Sequence, residues 1–233
     1  YTNRTIDLRS NQLTEATIEP ATQEEINNTI KVMGGEDWIL WIKALKDAGV
    51  LADGAKTVAY SYIGPELTYP IYKEGSIGQA KKDLYASADK IQEEVDGVEA
   101  YVSVNKAVVT QSSAAIPIVP LYLAILFKVM KEQNVQEGCI EQMYRMIHDR
   151  LCNGGEVVTD ENRLIRMDDW EMEPKVQEAV AAIWEKIDQD NLEEVTDLEG
   201  YWQEFYEIFG FCIDGVDYSA DVDADVQIPS LAP

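Results

Sequence analysis

Only one histidine, His148, stands in the 233 residues. That scarcity excludes multi-histidine metal centres and leaves hydrolytic triads without a suitable base, because His148 has no serine or cysteine elbow beside it. It reads as a surface or capping residue. Cysteine is scarce too: Cys139, Cys152 and Cys212 are odd in number, widely spaced and form no Cys-x-x-Cys pair. Neither a disulfide framework nor a zinc site is expected, and a reducing compartment, cytoplasm or mitochondrial matrix, fits best. The Asn-x-Thr sequons at Asn3 and Asn27 then read as chance matches. Positive charge is short as well. With 19 basic against 43 acidic residues and a net charge of −24, nucleic acid and anionic membranes are excluded as natural partners. A polyanionic cofactor would have to rely on a few local lysines, helix N-termini and backbone amides. No long apolar run occurs; the longest, Ala114 to Phe127, holds two prolines and falls short of the roughly 20 residues a membrane helix needs. Also lacking is a strand followed by Gly-x-Gly-x-x-Gly, the usual dinucleotide turn. Gly34–Gly35 and the "NGG" at 153–155 have no apolar strand before them and read as a helix stop and a turn. The chain opens at Tyr1 without methionine, which reads as a processing site or a boundary.

What is present suits a folded domain, since 46% of the residues are hydrophobic, enough for a sizeable core. Residues 1–20 are expected as a hairpin or extended entry, 21–219 as one α/β unit and 220–233 as a loosely held acidic tail. Thr22 and Glu25 form a capping box opening a helix that stops at Gly34. A second helix, 38–48, presents Trp38, Trp41, Ile42 and Leu45 at helical spacing as core. "KTVAYSYIG" (56–64) is expected as a buried strand of a parallel sheet, and Ser76 with Gln79 as a second capping box opening a helix over 77–94. "EAYVSV" (99–104) is the next strand, giving a βαβ unit. Beyond Pro117 the pattern turns helical, broken by a surface excursion through "NGGEVVTDENRLIRMDDW" with at most one small strand pair. The acidic pairs Asp168–Asp169 and Glu193–Glu194 read as solvated faces.

The stretch "YPIYKEGSIGQAKKDLY" (69–85) places Tyr72 before a glycine turn and Lys81 about one helical turn beyond it. A phenol near an ammonium and a helix N-terminus has its anion favoured, which would make Tyr72 a better proton donor. Spacing alone leaves the plainer alternative, a loop tyrosine and a solvated lysine, as the commoner one.

The segments "KVMGGEDWILWIKAL", "KTVAYSYIGPELTYPIY", "EGSIGQAKKDL", "VSVNKAVVTQ", "AAIPIVPLYLAILFKVMKE", "EGCIEQMYR", "DDWEME" and "GFCIDGVDY" together closely resemble the trans-2-enoyl-CoA reductase family, enoyl-thioester reductases with a Tyr-x8-Lys pair. The resemblance covers nearly the whole chain and roughly the C-terminal 60% of the family's length; the glycine-rich phosphate-binding half has no counterpart here. It implies the C-terminal part of a Rossmann-like, short-chain-dehydrogenase-like parallel-sheet fold with a helical C-terminal half. It implies NADH as cofactor and a short trans-2-enoyl-CoA as substrate. By the same resemblance Tyr72 is the catalytic tyrosine, Lys81 binds the cofactor ribose and orients Tyr72, and Val108, Val109 and Thr110 hold the nicotinamide side through backbone groups, with valine where the family has leucine. Tyr62 and Tyr201 contact substrate. The missing half implies exposed strand edges that another part of the protein, or other chains, would cover. A second reading stays open at this point: an accessory subunit, mitochondrial and non-catalytic, that keeps the reductase scaffold. A plain coenzyme A or acyl-binding module ranks last, because basic residues for the coenzyme phosphates are not evident.

Overall fold

The computed structural model describes residues 1–223, 225 and 226; residue 224 and residues 227–233 of the expected tail lie outside the described residues. The alternation in the first 17 residues produces two strands, β1 (Thr2–Asp7) and β2 (Gln12–Thr17), paired antiparallel from Thr2↔Thr17 to Asp7↔Gln12. Asn11 takes the left-handed conformation (φ 52°) in the turn, as short polar side chains do more readily than most. The hairpin is fastened to the rest of the fold at several points. Arg4 Nη1 donates to the Trp184 carbonyl at 2.6 Å, Trp202 Nε1 donates to Asn11 Oδ1 at 3.1 Å, and the Ile118 amide donates to Thr5 Oγ1 at 3.1 Å. Ile118 itself is fully buried with φ 75°, a strained conformation for a β-branched residue, and the Thr5 bond holds its amide in place.

The capping box of Thr22 and Glu25 opens α1 (Gln23–Met33) as expected. The next helix, α2, starts earlier than expected and spans Glu36–Asp47. Its tryptophans are not both core: Trp41 is 66% exposed, and Trp38 is half-buried, donating to Thr57 Oγ1. Only Ile42 is fully covered, because the helix presents a single narrow face to the rest.

The expected βαβ unit is β3 (Ala55–Ser61), α4 (Ser76–Glu94) and β4 (Val98–Val104), with the short helix α3 (Tyr69–Tyr72) before α4. The strands pair parallel from Ala55↔Val98 to Ser61↔Val104. Ser76 does not cap α4. Gly75 occupies that position without a side-chain bond, and Ser76 is the first helical residue. The surface excursion also contains more than expected. Residues Leu164–Arg166 form β5, which adds to β4 in parallel (Val102↔Leu164, Val104↔Arg166) to give the order β3-β4-β5. Among the described residues β3 carries no strand on its other side, and Tyr60 is 59% exposed there.

The helical half comprises α5 (Val119–Glu132), α6 (Cys139–Arg145) continuing as a π-helical turn to Leu151, α7 (Pro174–Lys186), α8 (Leu192–Val195) and α9 (Leu198–Glu207). The apolar run read from the sequence becomes α5, buried along most of its length, the centre of a core shared with α7, α9 and the hairpin. None of the helices is long and apolar enough to cross a membrane among the described residues. Asp168 and Asp169 are not a solvated pair. Arg166 grips the buried Asp168 with two bonds of 2.7 and 2.6 Å, and Asp169 is held by Arg145 and Arg150. Glu193 and Glu194 are exposed. His148 is exposed as well, stacked on Tyr144.

Candidate active site

The C-terminal ends of adjacent parallel strands leave a crevice in open α/β sheets. Here β3 and β4 end side by side at Ser61 and Val104, and the segments leaving them carry Tyr62 and Lys106–Thr110. The pair from the sequence reaches the same place by way of one glycine. At Gly78 a Cβ would lie 2.1 Å from the Lys73 carbonyl oxygen, so only glycine lets the end of α3 rest on the first turns of α4. That close approach sets Tyr72 and Lys81 in one wall, with the Lys81 ammonium 5.9 Å from the centre of the Tyr72 ring.

Lys81 Nζ donates to Ser61 Oγ at 3.1 Å, and Ser61 Oγ shares a 2.8 Å bond with the Tyr85 hydroxyl. Burial lowers the Lys81 pKa to about 8, close enough to neutrality for the amine to change charge in the working range. Tyr72 goes the opposite way from the sequence expectation. Burial, and secondarily the Glu171 carboxylate, raise its pKa to about 12, so the phenol keeps its proton. The nearby ammonium does not outweigh these two effects, because it sits on Ser61 rather than on the phenol oxygen. The Tyr72 ring meets Tyr62 edge-on, centroids 4.8 Å apart at 88°.

Tyr72 and Lys81 border two cavities. One, beneath the strand ends, is also lined by Ser61, Tyr62, Lys106, Val108 and Thr110. The other, beside α4, gathers Lys73 and Lys82 with Arg166, whose charge is already paired with Asp168 and Asp160. Val108 and Thr110 line the first cavity, whereas Val109 between them turns into the core. Thr110 and Ser113 exchange backbone and hydroxyl bonds of 2.8 and 2.9 Å that close the turn. Tyr201 is not brought to this wall. It is fully buried in α9, edge-on to Trp202, with a hydroxyl that has no partner among the described residues.

Two residues that sequence reasoning missed lie directly behind the wall. Glu171 is 0% exposed and accepts from the Tyr62 hydroxyl (2.9 Å), the Tyr122 hydroxyl (2.7 Å) and the Ala107 amide (2.7 Å). Lys106 is 1% exposed, donates to the Ala107 carbonyl at 2.8 Å and lies 5.2 Å from the Phe127 ring centre. A lysine immediately after a buried strand was the available signal for Lys106; Glu171, one acid among 43, had none beyond its place in "DDWEME".

Residues 1–152 match the family described as "Trans-2-enoyl-CoA reductase catalytic region", and residues 159–222 match "Enoyl reductase FAD binding domain". A trans-2-enoyl-CoA reductase [NADH] of Ruminiclostridium cellulolyticum is 54% identical over 99% of this chain and 59% of its own length. The Euglena gracilis trans-2-enoyl-CoA reductase is 53% identical over all of this chain and 43% of its own. Among solved structures, the Treponema denticola trans-2-enoyl-CoA reductase in complex with NAD superposes with a TM-score of 0.91 at 49% identity, covering 95% of this chain and 56% of that one. The chain therefore spans between 43% and 59% of the length of these relatives, and within that span its Rossmann-like α/β fold and its sequence make it a member of the trans-2-enoyl-CoA reductase family.

Proposed function

We propose that this chain is the catalytic part of an NADH-dependent reductase of the 2,3 double bond of short trans-2-enoyl-CoA thioesters. The observation that carries the reading is the wall shared by Tyr72 and Lys81 at the ends of β3 and β4, where the Tyr72 hydroxyl takes no hydrogen-bond partner among the described residues and is free for a ligand. As a protonated phenol, held so by burial and Glu171, Tyr72 donates to the thioester oxygen, where negative charge grows as the double bond is reduced. Lys81, oriented by Ser61, offers an ammonium to the ribose hydroxyls and keeps positive charge near that oxygen. Tyr62 flanks the reacting carbons, and Val108 and Thr110 present backbone to the nicotinamide. NADH, when bound, supplies the hydride. Tyr201 lies in the core and lines neither of the two cavities. Lys73 and Lys82 beside α4 suit phosphate groups.

The residues fit the nicotinamide and ribose end of a dinucleotide. The exposed β3 edge suits pairing with a further strand, and three exposed free cysteines suit a reducing compartment, cytoplasm or matrix. That the named relatives are reductases supports this reading over a non-catalytic subunit.

In the complete encoded protein, Tyr72→Phe should lower kcat for crotonyl-CoA with NADH by roughly 10²- to 10⁴-fold, the usual worth of a positioned proton donor. Turnover at the unmodified rate would falsify the assignment.

A further inference from the structure

We infer that Glu171 is a positioning residue for this site, its two carboxylate oxygens tying the Tyr62 hydroxyl and the Ala107 amide to one point. The inference rests on the reading of the site proposed above. Glu171 follows β5, and the amides of Met167 and Asp168 both donate to the Val104 carbonyl, at 2.8 and 3.2 Å, so the loop turns under the end of β4. From there Oε1 accepts from Tyr62 and Tyr122, and Oε2 accepts from Ala107. Ala107 is gripped through both of its backbone polar groups: its N–H donates to Glu171, and its carbonyl accepts from the Lys106 ammonium. From α7, Gln177 Nε2 donates to the Glu171 carbonyl at 2.7 Å and to the Tyr122 hydroxyl at 3.2 Å, locking the acid's own backbone. The groups facing the carboxylate are thus Tyr62, Tyr122, Lys106, the Ala107 amide and, further off, Tyr72.

A buried carboxylate is a costly way to fill space, and an apolar side chain of similar volume packs at least as well. What an apolar residue cannot do is receive three donors from three separate segments. One of them fixes the rotation of the Tyr62 ring, which lies edge-on against Tyr72; another fixes the peptide that leads directly into Val108 and Thr110. One side chain therefore holds the spacing between the two sides of the cavity.

The test is a double-mutant cycle in the complete protein, with Glu171→Gln, Tyr62→Phe and their combination, read as kcat at saturating NADH. Glutamine can meet the Ala107 amide with its oxygen only by turning its NH2 toward the two phenols, which must then rotate their own protons away and lose the charge-assisted bonds to a carboxylate. Each single variant should lose at least tenfold in kcat while unfolding cooperatively and keeping KM for the thioester within about threefold. The double variant should lose no more than the weaker single one, because both changes cut the same tie. A Glu171→Gln enzyme with unmodified kcat overturns the inference, as do single losses that multiply in the double variant. If Glu171→Gln does not fold, Tyr62→Phe, which keeps the ring and removes only the hydroxyl, decides alone: unmodified kcat overturns the inference. Tyr72→Phe in the same assay separates the two levels, since its full activity overturns the underlying reading, whereas an inactive Tyr72→Phe beside a fully active Glu171→Gln overturns only the inference.

Discussion

Lys81 is the residue whose charge changes within an ordinary assay range. With burial holding its pKa at about 8, kcat/KM, which reports the free enzyme, should be level below that pH and fall above it as the ammonium is lost. Lys81→Arg, charged at every accessible pH, should remove that descending limb whatever it does to the rate; a limb left in place would assign it to another group. The same burial affects stability with a definite sign. Below about pH 8 both folded and unfolded chains carry the charge, and the fold bears its desolvation. Between 8 and the usual 10.5 the folded state sheds its proton first, so stability rises with pH over that window. At this scale the sequence displayed the pair but not its electrostatics. The direction of the Tyr72 shift depends on burial and on Glu171, which reaches the site through β5, and neither is written in the nine-residue spacing of Tyr72 and Lys81.

At the scale of elements, the contact of α3 with α4 rests on Gly78. Gly78→Ala places a methyl against a backbone oxygen, which cannot rotate away as a side chain could, so the helices must separate. We expect a loss of about 1–3 kcal/mol, the range for forced overpacking, seen as a lower Tm, together with reduced kcat as Tyr72 moves from Lys81. Unchanged Tm and kcat would show that the helices part freely. The βαβ unit, the hairpin and the Thr22 capping box were all legible, because each has a period or a paired signal longer than a few residues. β5 was not: three residues in an irregular polar stretch have no period to display, and their strand character comes from β4 alongside. Ser76 with Gln79 showed the opposite failure, a correct cap pattern one residue out of place, where Gly75 supplies the extended backbone instead. Trp41 failed for a third reason, since helical spacing identifies a face but not what covers it.

For the molecule as a whole, two features pull against each other. The uncovered edge of β3 favours pairing with another strand, while a charge of −24 opposes any self-association. Screening decides between them, because the Debye length shrinks from about 30 Å at 0.01 M salt to about 8 Å at 0.15 M. This chain produced by itself should therefore be largely monomeric at low salt and associate as salt rises, as followed by sedimentation velocity, with Tyr60→Lys weakening the effect. A monomer at both salt levels would mean the edge is protected in some other way. The hairpin's fastenings have a consequence in time as well as in space. Arg4 and its acceptor at Trp184 are 180 positions apart, so at about 5–20 residues per second of synthesis the anchor emerges roughly ten to forty seconds after the strand that needs it. Ile118, whose amide donates to Thr5, is made earlier, but until Trp184 follows Ile6 has no finished core to enter. During synthesis this pair of strands therefore waits with its docking face unfilled, and codon choices that slow the stretch before Trp184 would lengthen that exposure.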